Sequence, residues 1–388
     1  MREVVVVGAG MTNFGELWES SLRDLGIQAG LEAIRDAGIK SSEIDALFVG
    51  NMAAGRLIDQ THIGALIADF AGLAAKNVPT VTIEGADASG AAAFHHAYLS
   101  VASGLHDVVV VGGAEKMTDL PDAEVTEIQA TSLDQQWEAF FGATLFSNYA
   151  MIARRHMHQF GTTREELAQV AVKNHENGAL NPNAQFRRPI KLETVLGAPA
   201  VADPLGMLDC APISDGAAAV VLCSADRARK LPGAHVRITA SAQAGDTLAL
   251  ASRRELVTFD ATRVAMEKAL KLAGRARDEI DLAEVHDVCT ISEILALEDL
   301  GFVAKGEGGR AAPSGMTALG GKLPVNTSGG LKARGHPLGA TGIAQIIEVF
   351  AQLKGCAGKR QVAGARVGLA HNVGGCGATA FVHILEAV

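Results

Sequence analysis

AIRDAGIKSSEIDALFVGN, residues 33–51, and ALKLAGRARDEIDLAEVHD, residues 269–287, align without a gap. Both copies carry Ala-Gly (Ala37-Gly38, Ala273-Gly274) and, at the same spacing, Glu-Ile-Asp (Glu43–Asp45, Glu279–Asp281). Each reads as helix, tight turn, helix cap and strand. The flanking segments repeat as well. Residues 80–113 run strand, glycine turn, alanine-rich helix, four valines and Gly-Gly; residues 323–375 run strand, glycine-rich loop, helix, strand and Gly-Gly. Two half-repeats, each a mixed sheet flanked by helices, account for the chain. The halves are expected at residues 1–232 and 233–388. Residues 118–189 have no counterpart in the second half and read as an inserted loop domain lying over the site.

Composition narrows the class. The 388 residues are 48% hydrophobic and 20% charged, with 43 glycines, so cores are large and more than one is expected. The net charge is −9 and no lysine or arginine run goes beyond short pairs such as Arg154-Arg155 and Arg187-Arg188, which argues against nucleic acid and anionic membranes as partners. No stretch reaches the roughly 20 apolar residues of a membrane helix. The five cysteines (Cys210, Cys223, Cys289, Cys356, Cys376) are scattered, without metal-ligand spacing or a disulfide framework. A reducing cytoplasm fits, and no metal site is expected.

Gly8-Ala9-Gly10 after the first strand invites a dinucleotide reading, but Asn13 stands where the third glycine belongs. Close packing is the better explanation, and no nicotinamide cofactor is expected. The turn Glu84-Gly85-Ala86-Asp87-Ala88-Ser89-Gly90 joins a strand to a small-residue helix and presents Asp87 to free N–H groups. Asp87 reads either as an N-cap or as a site residue. Val285-His286-Asp287 ends a strand, where layered α/β folds bind ligands. Asn326-Thr327-Ser328-Gly329-Gly330 and Arg334-Gly335-His336-Pro337 form a glycine-rich loop entering a helix, and His336 is poorly placed there for core packing. Asn372-Val373-Gly374-Gly375-Cys376-Gly377 follows another strand, its backbone N–H groups suited to a developing oxyanion. Cys376 reads as an acid/base or as a small buried filler.

In order and context these loops resemble the thiolase superfamily, in particular its archaeal and sterol-carrier-type branch. The likeness extends over almost the full chain and includes Asp203–Ala219 and Glu298–Phe302. It implies a five-layered αβαβα fold from two βαβαβαββ halves, a homodimer or tetramer, and acyl-CoA and coenzyme A as substrates rather than cofactors. In that family a cysteine at the turn holding Asp87 takes the acyl group, histidines build oxyanion holes, and a second cysteine moves a proton. The resemblance thus marks Asp87, His286, His336 and Cys376 (with Cys289 as the other thiol candidate) as catalytic positions. Asn372, Gly374, Gly375 and Ser328 fall at substrate-binding positions. Members of the branch also associate with a small zinc-ribbon/OB-fold protein.

This chain departs from the pattern at the nucleophile. No cysteine precedes Cys210. A carboxylate at a helix N-terminus is a weaker nucleophile than a thiolate, and its acyl product, a mixed anhydride, hydrolyses readily. The first expectation is therefore a thiolase-family acyltransferase with weak or absent thiolysis. The alternatives are an acyl-CoA lyase of retro-aldol type or a hydrolase using Asp87 as a base, and a non-catalytic CoA-binding subunit.

Overall fold

The computed structural model describes residues 1–388. The first half contributes strands β1 (Val4–Met11), β2 (Ala46–Gly50), β3 (Thr80–Ile83), β4 (Val108–Glu115) and β5 (Gly216–Ser224). Its helices are α1 (Leu22–Asp36), α2 (Ile63–Phe70) and α3 (Ser89–Ser103). Between β4 and β5 run α4 (Leu145–Phe160) and α5 (Arg164–Gly178). The second half contributes β6 (Val236–Gly245), α6 (Asp260–Ala273), β7 (Leu282–Glu284), α7 (Thr290–Asp299), α8 (Leu338–Leu353), β8 (Val367–Gly374) and β9 (Thr379–Ala387).

The strand order β3-β2-β4-β5-β1-β6-β9-β8-β7 carries the repeat. Read inward from β3, it gives two parallel pairings and then antiparallel ones; read inward from β7, it gives one parallel pairing and then antiparallel ones, and the halves join through a short antiparallel contact of Val4–Val6 with Val236–Ile238. The strand expected at Leu323–Asn326 is reduced to one bridge, Ala283 with Val325, at the place where β3 sits in the first half. There Asn326 turns away with φ 55° and its side chain takes over part of the pairing, accepting from the Val285 N–H at 2.8 Å.

The quoted repeat is reproduced in detail. Gly38 and Gly274 end α1 and α6 in the left-handed region, at φ 65° and 64°. Glu43 and Glu279 then cap the N–H groups of Lys40 and Ala276, each at 2.7 Å. Asp45 and Asp281 each accept from two backbone N–H groups that open the next strand, at 107–108 and 366–367. Identical residues thus do identical work in both halves.

Alternating side chains send each sheet's apolar residues to two faces, which gives five layers. One outer core joins α1 and α2 to β1, β4 and β5; the central core packs α3 and α8 between the sheet halves; the other outer core joins α6 and α7 to β6, β8 and β9. Gly8 and Gly10 lie inside β1 rather than in a turn. A Cβ on either would stand 2.4 Å from a carbonyl oxygen of α1, so the pair serves helix–sheet contact. β4 and β5 are joined by residues 116–215, whereas their counterparts β8 and β9 are joined by residues 375–378 alone. No helix is long and apolar enough to cross a membrane.

Candidate active site

The two central helices meet at their N-termini, and glycines make the meeting possible. A Cβ on Gly90 would lie 2.5 Å from the Gly339 oxygen, and one on Gly113 only 1.9 Å from it. Gly342 is as closely opposed to Ala91, at 2.4 Å from its nitrogen. Glu115, buried at the end of β4, fastens the junction. It accepts from Gly339 N of α8 at 2.9 Å, from Met52 N and Ala53 N, and from Asn51 Nδ2 at 2.8 Å. Burial pushes its carboxyl up to about 7, against four donors that favour the anion.

This junction places Asp87, ahead of α3, beside His336, ahead of α8. Asp87 Oδ2 is 3.5 Å from His336 Nε2 and 3.8 Å from His286 Nε2. The histidine rings stand edge to face, centroids 5.5 Å apart. All three residues are about 1% exposed, and both Asp87 Oδ1 and His286 Nε2 lack a hydrogen-bond partner. Ala86, immediately before Asp87, holds φ 52°, a conformation costing about 1–2 kcal/mol for an L-residue. The Ser89 hydroxyl stabilises it, donating to Ala86 O at 2.6 Å and accepting from Gly85 N at 3.0 Å.

Hydrogen bonds behind each histidine fix its protons. The His371 carbonyl can only accept, so Gln345 presents Nε2 to it (3.0 Å) and Oε1 to Asn372 (2.9 Å). Asn372 must then offer Nδ2, which donates to His286 Nδ1 at 3.0 Å. His286 consequently carries its proton on Nε2, toward Asp87. It is neutral: burial, then His336 and His371, hold it well below the ordinary 6.5. His336 is set the other way. The Thr341 hydroxyl donates to Pro337 O at 2.9 Å, so at 2.7 Å it accepts from His336 Nδ1–H. The lone pair of His336 Nε2 therefore faces Asp87. His286 is a fixed donor; Asp87 and His336 form an acid–base pair. Carboxylate and two imidazoles lie close enough to hold a metal ion, with ligand atoms within 4.8 Å, but His286 offers a proton there, not a lone pair.

Asp287 ties the histidine loops together, accepting from Leu331 N at 2.7 Å and Lys332 N at 3.3 Å just before Gly335-His336. Burial, then the neighbouring Glu293, raises it to about 8. Of the other sequence candidates, Gly374 backs the Asp87 turn, where a Cβ would meet Gly85 O at 2.6 Å. Gly375 has φ 55° and its carbonyl accepts from the Tyr149 hydroxyl at 2.9 Å. Cys376 is buried and its thiol is pushed up to about 12 by that burial; Cys289, equally buried, bonds Ser292 Oγ at 3.2 Å. Ser328 is placed apart from the Asp87 cluster. It donates to Glu284 Oε2 at 2.5 Å and accepts from Arg334 Nη1 at 3.1 Å.

Sequence reading missed Thr341, Gln345 and Glu115. Thr341 and Gln345 had a signal: with Glu348 and Gln352 they form a polar stripe at helical spacing in an otherwise apolar helix. Glu115 had none, because its partners come from two distant segments, residues 51–53 and Gly339.

Residues 4–226 match the family model "Thiolase, N-terminal domain" and residues 242–387 match "Thiolase C-terminal domain-like". The chain belongs to the thiolase superfamily. Among relatives, an acetyl-CoA acetyltransferase of Methanothermobacter thermautotrophicus is 56% identical over 100% of both chains. One from Methanocaldococcus jannaschii is 46% identical over 100% of this chain and 99% of that one. Among solved structures, one described as "Ltp2-ChsH2(DUF35) aldolase" superposes with a TM-score of 0.84 at 28% identity, covering 99% of this chain and 98% of that one. The thiolase-like five-layered fold expected from the sequence is thus shown. In this member an Asp/His/His cluster stands where the nucleophilic cysteine would be.

Proposed function

We propose that this thiolase-superfamily protein acts on coenzyme A thioesters and breaks or makes the carbon–carbon bond next to the thioester carbonyl by acid–base chemistry of aldol type, without an acyl-enzyme. The observation that carries this reading is the Asp87 carboxylate facing the lone pair of His336 Nε2 at 3.5 Å, opposite the fixed donor His286. In the cleavage direction the proton-free Asp87–His336 pair takes the hydroxyl proton of a 3-hydroxyacyl thioester. The O–H electrons become the new carbonyl, the Cα–Cβ bond breaks, and its electrons pass into the thioester enolate. His286 Nε2–H donates to the enolate oxygen. The protonated pair returns its proton to Cα. General-base catalysis of this kind contributes roughly 10²–10⁴-fold.

The likeness to an aldolase supports this over the acyltransferase reading. A tyrosine base is disfavoured, because the Tyr149 hydroxyl is committed to Gly375 O. Acyl transfer is the second reading, favoured by the names of the 56% and 46% identical relatives. Assembly as a homodimer fits the free edge of β3, where Val81 is 42% exposed. A small zinc-ribbon/OB-fold partner remains part of the proposal on the family resemblance alone. Five free thiols suit the reducing cytoplasm.

The test offers 3-hydroxyacyl-CoAs and acetoacetyl-CoA plus CoA to the chain, to Asp87→Asn and to Asp87→Cys. Carbonyl release from the hydroxy substrate that falls at least 100-fold in Asp87→Asn supports the proposal. Thiolysis of acetoacetyl-CoA by the unaltered chain at the rate of its Asp87→Cys variant refutes it. Binding without turnover of either substrate marks a CoA-binding subunit.

A further inference from the structure

Arg253 lies in the loop between β6 and α6, is 8% exposed, and none of its three guanidinium nitrogens has a hydrogen-bond partner. It joins no ion pair; the neighbouring Arg254, its side chain 91% exposed, is the one that approaches Asp260. A buried cation without a counterion is costly, and no carboxylate of the chain offsets it; only the face of the Phe259 ring does so in part.

Its position is informative. The guanidinium carbon stands 5.0 Å from the centre of the Phe259 ring. That ring closes over Gly377, where a Cβ would lie 2.9 Å from it, and meets Tyr149 edge-on at 6.2 Å. Tyr149 in turn holds Gly375. Arg253 is thus shelved beside the Gly375-Cys376-Gly377 loop, and its charge is felt at Cys376 and Tyr149, two groups that also feel Asp87. Glu138, the other carboxylate felt at Cys376, is occupied by Leu250 N, Asp134 N and Asn148 Nδ2, at 2.8, 3.1 and 3.0 Å. Further unmatched buried atoms belong to the same neighbourhood: Asp87 Oδ1, His286 Nε2, Asn148 Oδ1 and Asn372 Oδ1.

We propose that Arg253 is a specificity residue that binds a carboxylate carried on the acyl portion of the substrate, so that the preferred thioesters are those of dicarboxylic acids. The inference rests on the thioester reading above and adds to it the chemistry of the acyl group. One buried guanidinium beside the Gly375-Cys376-Gly377 loop matches one carboxylate. The phosphates of coenzyme A, with several charges, suit an open rim.

Calorimetric titrations of the full chain with glutaryl-CoA, pentanoyl-CoA and CoA, repeated on Arg253→Met and Arg253→Lys, test it. The chain is expected to bind glutaryl-CoA about 10- to 100-fold more tightly than pentanoyl-CoA, the range a charge-assisted hydrogen bond supplies. Arg253→Met should abolish that preference, leave CoA affinity unchanged and raise the melting temperature, since it removes an unpaired buried charge. Arg253→Lys should keep part of the preference. Equal affinity for both acyl thioesters overturns this inference alone. Loss of all three ligands in Arg253→Met reassigns the residue to coenzyme A or to folding, and also overturns it. Failure of the unaltered chain to bind any of them overturns it together with the thioester reading.

Discussion

Acidification should unfold this protein through histidines buried in neutral form, and His371 gives the clearest case. Its ring is 1% exposed, bonds Thr262 Oγ1 at 2.9 Å through Nε2, and leaves Nδ1 unpartnered. Burial lowers it from 6.5 to about 3. The unfolded chain therefore takes up this proton first. The contribution to stability is intact above pH 6.5 and is lost progressively as pH falls toward 3. At about 1.4 kcal/mol per pH unit, some 2 kcal/mol is gone by pH 5, and about 5 kcal/mol at the full extent of the shift. His95 and His175, both lowered to about 4 with burial the first cause, act in the same sense. The buried carboxyls Glu115, Glu284 and Asp287, raised to about 7, 7 and 8, act oppositely, favouring the folded state at low pH. A difference between variants isolates His371 from both groups. Urea unfolding of the chain and of His371→Gln at pH 7.5 and 5.0 is the assay. The variant should lose about 2 kcal/mol less between the two pH values. Equal losses would refute the reasoning and mean that His371 is hydrated or already charged in the folded state.

Thr341→Val keeps the shape of α8 but removes the acceptor of His336 Nδ1–H; leaving that donor unpaired costs about 1–3 kcal/mol, so the melting temperature should fall, and with the His336 tautomer no longer fixed turnover should drop roughly 10- to 100-fold. A kinetic comparison across pH checks it: an unaltered kcat profile would show that the threonine does not set the tautomer. Two glycine-to-alanine changes should differ in sign. Gly113→Ala drives a Cβ to within 1.9 Å of Gly339 O and should cost about 3 kcal/mol or more, carrying His336 out of place. Gly30→Ala, inside α1 with open space around it, should stabilise by about 0.5–1 kcal/mol. Melting temperatures of the two variants decide the matter, and equal effects would contradict the helix contact described for α8.

The sequence by itself determined the layered fold, because the repeat is written in local terms. Ala-Gly ends a helix by a left-handed residue, and the Glu of Glu-Ile-Asp caps the next turn; neither requires a distant partner, and only the Asp that follows reaches across to another strand. It also singled out the loops holding Asp87, His286 and His336, since strand ends and glycine turns that lead into helices have a recognisable local chemistry, and the resemblance to the thiolase superfamily marked those three residues as catalytic positions. It did not reveal that the third strand of the second half shrinks to one bridge, because Asn326 satisfies the backbone through its side chain only once β7 lies beside it. Nor did it place the protons. Which nitrogen of each histidine faces Asp87 depends on Thr341, Gln345, Asn372 and two backbone carbonyls. The solitary charge of Arg253 is likewise invisible in the chain, where it stands next to an ordinary exposed arginine. Capping, turns and periodicity act over a few residues and are written in order along the sequence; tautomers and unpaired buried charges are set by groups that meet only when the five layers close.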